Sequence, residues 1–215
     1  MEEDKHEVIY DKNISGAKFT EAMATHKPDV LIVRSKKVTA AEIDANPGLS
    51  LIIRAGAGYD TIDVAHASTK GVYVANCPGK NATAVAELTM GLIISIDRRL
   101  GENYMLQKEG KWAKGRFTEC PGLKGRTLGL IGFGNIAQRV AKRALAFEMN
   151  VVAYNRSKKE MDGVEMVSSI DEVLTQADIV SLHLPATKDS KNMVNKDFLE
   201  KMKPNGVLIN TARGT

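Results

Sequence analysis

Short apolar runs recur along the chain, each closed by polar or glycine-rich residues: HEVIYD at 6–11, DVLIVRS at 29–35, LSLIIRAGAG at 49–58 and GVYVANCPG at 71–79. The stretches between them carry helical periodicity. Continuous apolar strands alternating with helices are the rhythm of a parallel sheet with crossover helices. From Ala82 a long helical pattern runs to Gly110 and predicts one helix bridging two units. After the loop RFTECPGLKGR at 116–126 the rhythm restarts: TLGLIGFG, NIAQRVAKRALAFEM, NVVAYNR, IDEVLTQA, DIVSLHLP and GVLINTA. The pattern predicts an α/β protein of two doubly wound parallel-sheet domains, residues 1–97 and 98–215. No solenoid repeat and no low-complexity linker interrupts it.

The most informative turn lies in TLGLIGFGNIAQRVAKRA. Gly132 and Gly134 fall between a strand and a helix, and Ala137 takes the third position of a G-x-G-x-x-G/A fingerprint. Gly132 permits the tight turn, Gly134 lets backbone approach a pyrophosphate, and a small residue at 137 lets helix and strand pack closely. The N-terminal amides at Asn135 and Ile136 then face the phosphates. Strand before, helix after and a second strand on time together predict a dinucleotide site.

The second strand of such a unit usually ends in an acid that holds the adenine-side ribose when the cofactor is NAD. Here Asn155 stands 21 residues after Gly134. A carboxylate would repel a 2′-phosphate, whereas Asn155, Arg156, Ser157 and Lys158 offer hydrogen bonds and positive charge. The cofactor is NAD or NADP, with a lean to NADP.

Two loops of the first half suit an anionic substrate. After one strand come Gly56, Ala57 and Gly58, whose unencumbered amides form a nest for a carboxylate. After another come Arg34 and Ser35, with Lys36 and Lys37 beside them, where an arginine fork suits a phosphate or second carboxylate. In NCPGKN, Asn81 is placed to cap the long helix.

Composition narrows the partners. Of the 215 residues 43% are hydrophobic, enough for globular cores, and 30 Lys and Arg against 26 Asp and Glu give a net charge of +4. The charges are interspersed without a basic block, which argues against nucleic acid. No apolar run is long enough to span a bilayer and the opening MEEDKHEVIY lacks a signal core, so no membrane partner and a cytoplasmic location are expected. Cys77 and Cys120 lack CxxC spacing, so no metal or redox motif is expected. Of the four histidines, His6, His26 and His66 have no catalytic setting, and His183 at a strand tip reads as structural.

The motifs LIVRSKKVT, RAGAGYDTID, NCPGKNATAVAELTMGLI, GLKGRTLGLIGFGNIAQRVAKRA, DIVSLHLPAT and GVLINTARG, in this order, resemble the D-isomer-specific 2-hydroxyacid dehydrogenases, and most closely their phosphoglycerate branch in serine biosynthesis. The resemblance covers nearly the whole chain. It implies a flavodoxin-like substrate domain plus a Rossmann domain, both incomplete here, in a homodimer with the long helices near the interface. It assigns Arg213 to grip the carboxylate and 2-oxygen of a small anionic 2-hydroxyacid or 2-ketoacid, and the amides around Ala57 and Gly58 to hold the carboxylate. Arg34 corresponds to a substrate-phosphate contact. Leu184, Pro185, Thr187, Thr211 and Ala212 become neighbours of the nicotinamide. The family's base is a histidine held by a glutamate, and none of the four histidines matches it. The resemblance places that pair beyond residue 215 and about one βα unit before residue 6, so the chain alone is expected to be inactive. The alternatives are a hydroxypyruvate or glyoxylate reductase, and a non-catalytic NAD(P)-binding regulator.

Overall fold

The computed structural model describes residues 6–214, and they divide into two compact units between Lys80 and Asn81. The first contains α1 (Ala17–His26), β1 (Val30–Val33), α2 (Ala40–Asp44), β2 (Leu51–Arg54), α3 (Val64–Thr69) and β3 (Tyr73–Asn76). Its strands form a parallel sheet in the order β1-β2-β3, with Val30 beside Leu51 and Leu51 beside Tyr73. Side chains alternate across a strand. Val33 and Ile52 therefore join Phe19, Met23, Ile43 and Ala67 in the core, while Val30, Ile32 and Tyr73 point to the opposite, exposed face. Thr39 opens α2 with a capping box: its side chain and Glu42 satisfy each other's backbone N–H groups.

HEVIYD, expected as a strand, pairs with no strand among the described residues, and Val8, Ile9 and Tyr10 are exposed. A run of β-branched and aromatic residues favours extended backbone, but a strand exists only where a neighbour completes its ladder.

The second unit contains α4 (Ala82–Asp97), α5 (Leu100–Lys108), α6 (Lys114–Phe117), β4 (Thr127–Ile131), α7 (Asn135–Ala146), β5 (Asn150–Tyr154), β6 (Val164–Val167), α8 (Ile170–Gln176), β7 (Ile179–Leu182), α9 (Lys196–Lys201) and β8 (Val207–Asn210). The sheet is parallel throughout, in the order β6-β5-β4-β7-β8. The chain leaves β4 toward β5 on one side and later returns to β7 on the other. That reversal opens a crevice at the carboxyl end of β4, the place where doubly wound sheets bind ligands. Ala137, Val140, Ala141 and Ala144 of α7 pack on one face of the sheet with Met90 and Ile93 of α4, and Val173, Leu174 and Phe198 cover the other. Gly129 permits the second contact, since a Cβ there would stand 2.5 Å from Val173 Cγ1.

The division falls seventeen residues before the expected boundary at 97/98, because α4 buries Ala86, Met90 and Ile93 in the core of the second unit. Arg126 also bonds the buried Asp97 at 3.0 Å. The single long helix expected from Ala82 to Gly110 is instead two helices. Arg99 adopts a left-handed φ of 52° and ends the regular turn between Asp97 and Leu100.

Candidate functional site

The glycine loop follows β4. Gly132 has φ 88° and is buried, and a Cβ there would stand 2.6 Å from the His183 carbonyl oxygen and 2.9 Å from Leu184 Cδ2. Both its backbone and its close neighbour exclude a side chain. Gly134 differs: its φ of −85° suits any residue, and a Cβ would meet no atom within 4 Å. The protein itself does not require glycine at 134; the open space lies on the solvent side, at the N-terminus of α7. No side chain caps that end, so its first amides, at Asn135 and Ile136, are available to an anion. Ala137 is fully buried in the core. These features fit a dinucleotide pyrophosphate.

At the tip of β5, Asn155 accepts a hydrogen bond from the Phe133 N–H at 3.0 Å and donates to the Ser157 carbonyl at 2.8 Å and its hydroxyl at 2.9 Å. Its polar atoms are thus engaged inside the protein and tie the glycine loop to the segment after β5. Arg156 Nη1 stands 3.7 Å from Asp189, both side chains being almost fully solvated, and Lys158 pairs with Glu160.

A cavity of about 310 Å³ opens at the carboxyl ends of β7 and β8, and Leu184, Pro185, Ala212 and Arg213 line it. Asn210 shapes one wall: its Oδ1 accepts from the Ala212 N–H at 3.0 Å and its Nδ2 donates to the Arg213 carbonyl at 2.9 Å. Thr187 is exposed and exchanges hydrogen bonds with Ser190. Thr211 bonds Thr89 of α4 at 3.0 Å. His183 Nε2 lies 3.0 Å from the buried Ser181 hydroxyl, and burial pushes its pKa down to about 4. The ring is therefore neutral near pH 7, in keeping with a structural role.

In the first unit, the loop after β2 is held by its carbonyls. Gly56 accepts from the Cys77 N–H at 3.0 Å, and Ala57 from Asn76 Nδ2 at 2.6 Å. Among the described residues the N–H groups of Ala57 and Gly58 meet no acceptor, as a nest for an anion requires. Arg54 folds over Gly56, where a Cβ would stand 1.4 Å from its Nη1, and its buried Nε finds no partner among the described residues. Arg34 and Ser35 are exposed at the end of β1. Lys36 turns away and donates to the carbonyls of Lys12 and Ile14.

The structure thus gathers the predicted residues into separate groups: the glycine loop with Asn155, the cavity with Arg213, and the loop at Ala57 and Gly58. Arg54, Asn76, Thr89 and Asn210 were not among the expected residues. Arg54 and Asn210 sit inside the motifs RAGAGYD and INTARG, where their position beside glycines or arginine was the available signal.

A parallel sheet with a tight glycine turn, an open helix N-terminus and a cavity at the carboxyl ends of its β7 and β8 strands defines a dinucleotide-binding Rossmann unit. The family model for the D-isomer specific 2-hydroxyacid dehydrogenase, NAD binding domain, matches residues 90–215, and the chain belongs to that family. Its cofactor class is a nicotinamide dinucleotide. The chain is 46% identical over 187 residues to a hydroxypyruvate reductase of Thermotoga maritima, covering 86% of this chain and 61% of that protein. It is 41% identical over 191 residues to a D-3-phosphoglycerate dehydrogenase of Methanocaldococcus jannaschii, covering 86% and 36%. It superposes on a D-lactate dehydrogenase from Aquifex aeolicus, complexed with NAD and lactic acid, with a TM-score of 0.81 and 34% identity, covering 87% and 57%. The chain spans less than two thirds of the length of each of these proteins. Among the described residues no helix is long and apolar enough to cross a membrane, and no cluster of metal-ligating side chains occurs.

Proposed function

We propose that the protein is an NAD(P)-dependent D-2-hydroxyacid dehydrogenase. The observation that carries this reading is the cavity at the ends of β7 and β8, where Arg213 stands among Leu184, Pro185 and Ala212 beside an open dinucleotide loop. When bound, the dinucleotide supplies the hydride acceptor or donor. In the oxidative direction the C2–H bond breaks with its electron pair, and the hydroxyl proton passes to a general base as C2 becomes a carbonyl. Arg213 offers its N–H donors to the carboxylate and to the 2-oxygen, where negative charge develops on reduction. The amides of Ala57 and Gly58 cradle a carboxylate.

The substrate is 3-phosphoglycerate or its keto form, an assignment supported by Arg34, exposed at a strand end, and by Arg54, whose Nε has no partner among the described residues. A second reading, reduction of hydroxypyruvate or glyoxylate, is favoured by the 46% identity to the Thermotoga maritima enzyme. The lean to NADP rests on the absence of a carboxylate at 155 and on Arg156. A homodimer is supported by the exposed stripe of Leu88, Leu92 and Ile96 along α4, and a cytoplasmic setting by the free thiols Cys77 and Cys120.

Turnover of phosphohydroxypyruvate, hydroxypyruvate and glyoxylate with either reduced dinucleotide tests the reading. Arg34→Ala is expected to lower kcat/KM at least tenfold for the phosphorylated substrate alone, and Arg213→Ala at least a hundredfold for all three. Activity unchanged by Arg213→Ala contradicts it.

A further inference from the structure

The fingerprint leaves the position after Ala137 open, yet the side chain there acts on the loop itself. Gln138 Nε2 donates to the Phe133 carbonyl at 3.2 Å, while the Gln138 backbone N–H bonds the Gly134 carbonyl at 3.1 Å and starts α7. A carbonyl only accepts, so the side-chain amide must present its nitrogen to Phe133.

Peptide geometry extends that contact to the next N–H. The Phe133–Gly134 peptide is trans, and in a trans peptide the carbonyl of one residue and the N–H of the next point in opposite directions. Holding the Phe133 carbonyl on Gln138 therefore aims the Gly134 N–H away from the helix side chain. Among the described residues that N–H meets no acceptor, and Gly134 is exposed, with no atom within 4 Å of where a Cβ would stand.

This peptide is also the one in the loop that can turn. The peptide before it is fixed, because Asn155 holds the Phe133 N–H and the Phe133 side chain is fully buried. Turning the Phe133–Gly134 peptide over needs only ψ of Phe133 and φ of Gly134 to change together. That movement carries Gly134 from its φ of −85° to positive values, which glycine accepts freely. A turned peptide would show a carbonyl oxygen, not an N–H, to an incoming phosphate. The hydrogen bond from Gln138 opposes the turn.

We propose that Gln138 is a positioning residue for the dinucleotide pyrophosphate: its side-chain amide fixes the Phe133–Gly134 peptide so that the Gly134 N–H stands ready as a donor to phosphate. This rests on the dinucleotide reading above and names, outside the fingerprint, the side chain that prepares its loop. The effect passes through the backbone at Gly134, and the gain is that the donor is oriented before the ligand arrives.

The test is binding of ADP and of adenosine to the full chain and to Gln138→Met, a change of similar length that removes the donor. ADP carries the diphosphate and adenosine does not, so ADP is expected to bind the parent roughly tenfold tighter or more. Gln138→Met is expected to weaken ADP roughly three- to tenfold, the range of one hydrogen bond, and to leave adenosine within about twofold. In proton–nitrogen correlation spectra of the parent, the Gly134 amide signal is expected to move with ADP and to stay in place with adenosine. In Gln138→Met the same signal is expected to broaden or split before any ligand is added, as the peptide samples both orientations. Unchanged ADP affinity in Gln138→Met, a loss shared equally by the two probes, or a Gly134 signal that ADP leaves in place would overturn the proposal. If the parent binds neither probe, or both equally, the dinucleotide reading itself falls and takes the proposal with it.

Discussion

Thr89 on α4 and Thr211 beyond β8 share a hydrogen bond of 3.0 Å, and the same Thr89 hydroxyl reaches the Val85 carbonyl at 2.8 Å. A carbonyl only accepts, so Thr89 spends its one proton on Val85 and Thr211 must donate to Thr89. Thr211 thereby faces its surroundings as an acceptor, and α4 sets the geometry of the chain just before Arg213.

Thr89→Val keeps the shape of this fully buried side chain and removes the acceptor. The expected loss is about 1–2 kcal/mol of unfolding free energy, the cost of an unmade buried hydrogen bond. Chemical denaturation measures it. A stability unchanged within about 0.3 kcal/mol would show that Thr211 finds another partner.

Gly132 and Gly134 are expected to respond oppositely to the same methyl group. Gly132→Ala forces a left-handed residue against the His183 carbonyl, at a cost of about 2 kcal/mol or more. Gly134→Ala enters open space at an ordinary φ and is expected to leave stability within about 0.5 kcal/mol of the parent. Melting curves of the two variants side by side check the contrast.

His183 predicts an acid-sensitive fold. Its folded pKa is lowered by burial from 6.5 to about 4, so below pH 6.5 the unfolded chain binds the proton that the folded chain refuses. Its contribution is complete above pH 6.5 and is lost as pH falls toward 4, by roughly 3 kcal/mol at full loss. Unfolding free energies at pH 7.5 and pH 4.5 for the parent and His183→Gln measure this share. An equal drop in both proteins would assign the acid sensitivity elsewhere.

The parts legible in the sequence were those with local causes. Gly132 was readable because a tight turn demands a positive φ, and Ala137 because only a small residue lets α7 approach the sheet. Non-local causes escaped. HEVIYD has the short apolar run of a strand but no ladder partner among the described residues. The break at Arg99 carries neither proline nor glycine, so helical periodicity ran through it. β6 is a short edge strand containing Glu165 and gave too little apolar signal. Arg54 passed unremarked inside LSLIIRAGAG, and its importance emerges only where its guanidinium covers Gly56.

Binding of a nicotinamide dinucleotide across the loop at Gly132 and Gly134 underlies every role proposed for this chain. A titration with NADPH, followed by the fluorescence of its nicotinamide, tests it in the parent chain and in Gly134→Ala. Saturable binding is expected in the parent and a loss of at least tenfold in the variant, whose added methyl occupies the space left for the pyrophosphate. No binding, or binding that Gly134→Ala leaves untouched, would contradict it.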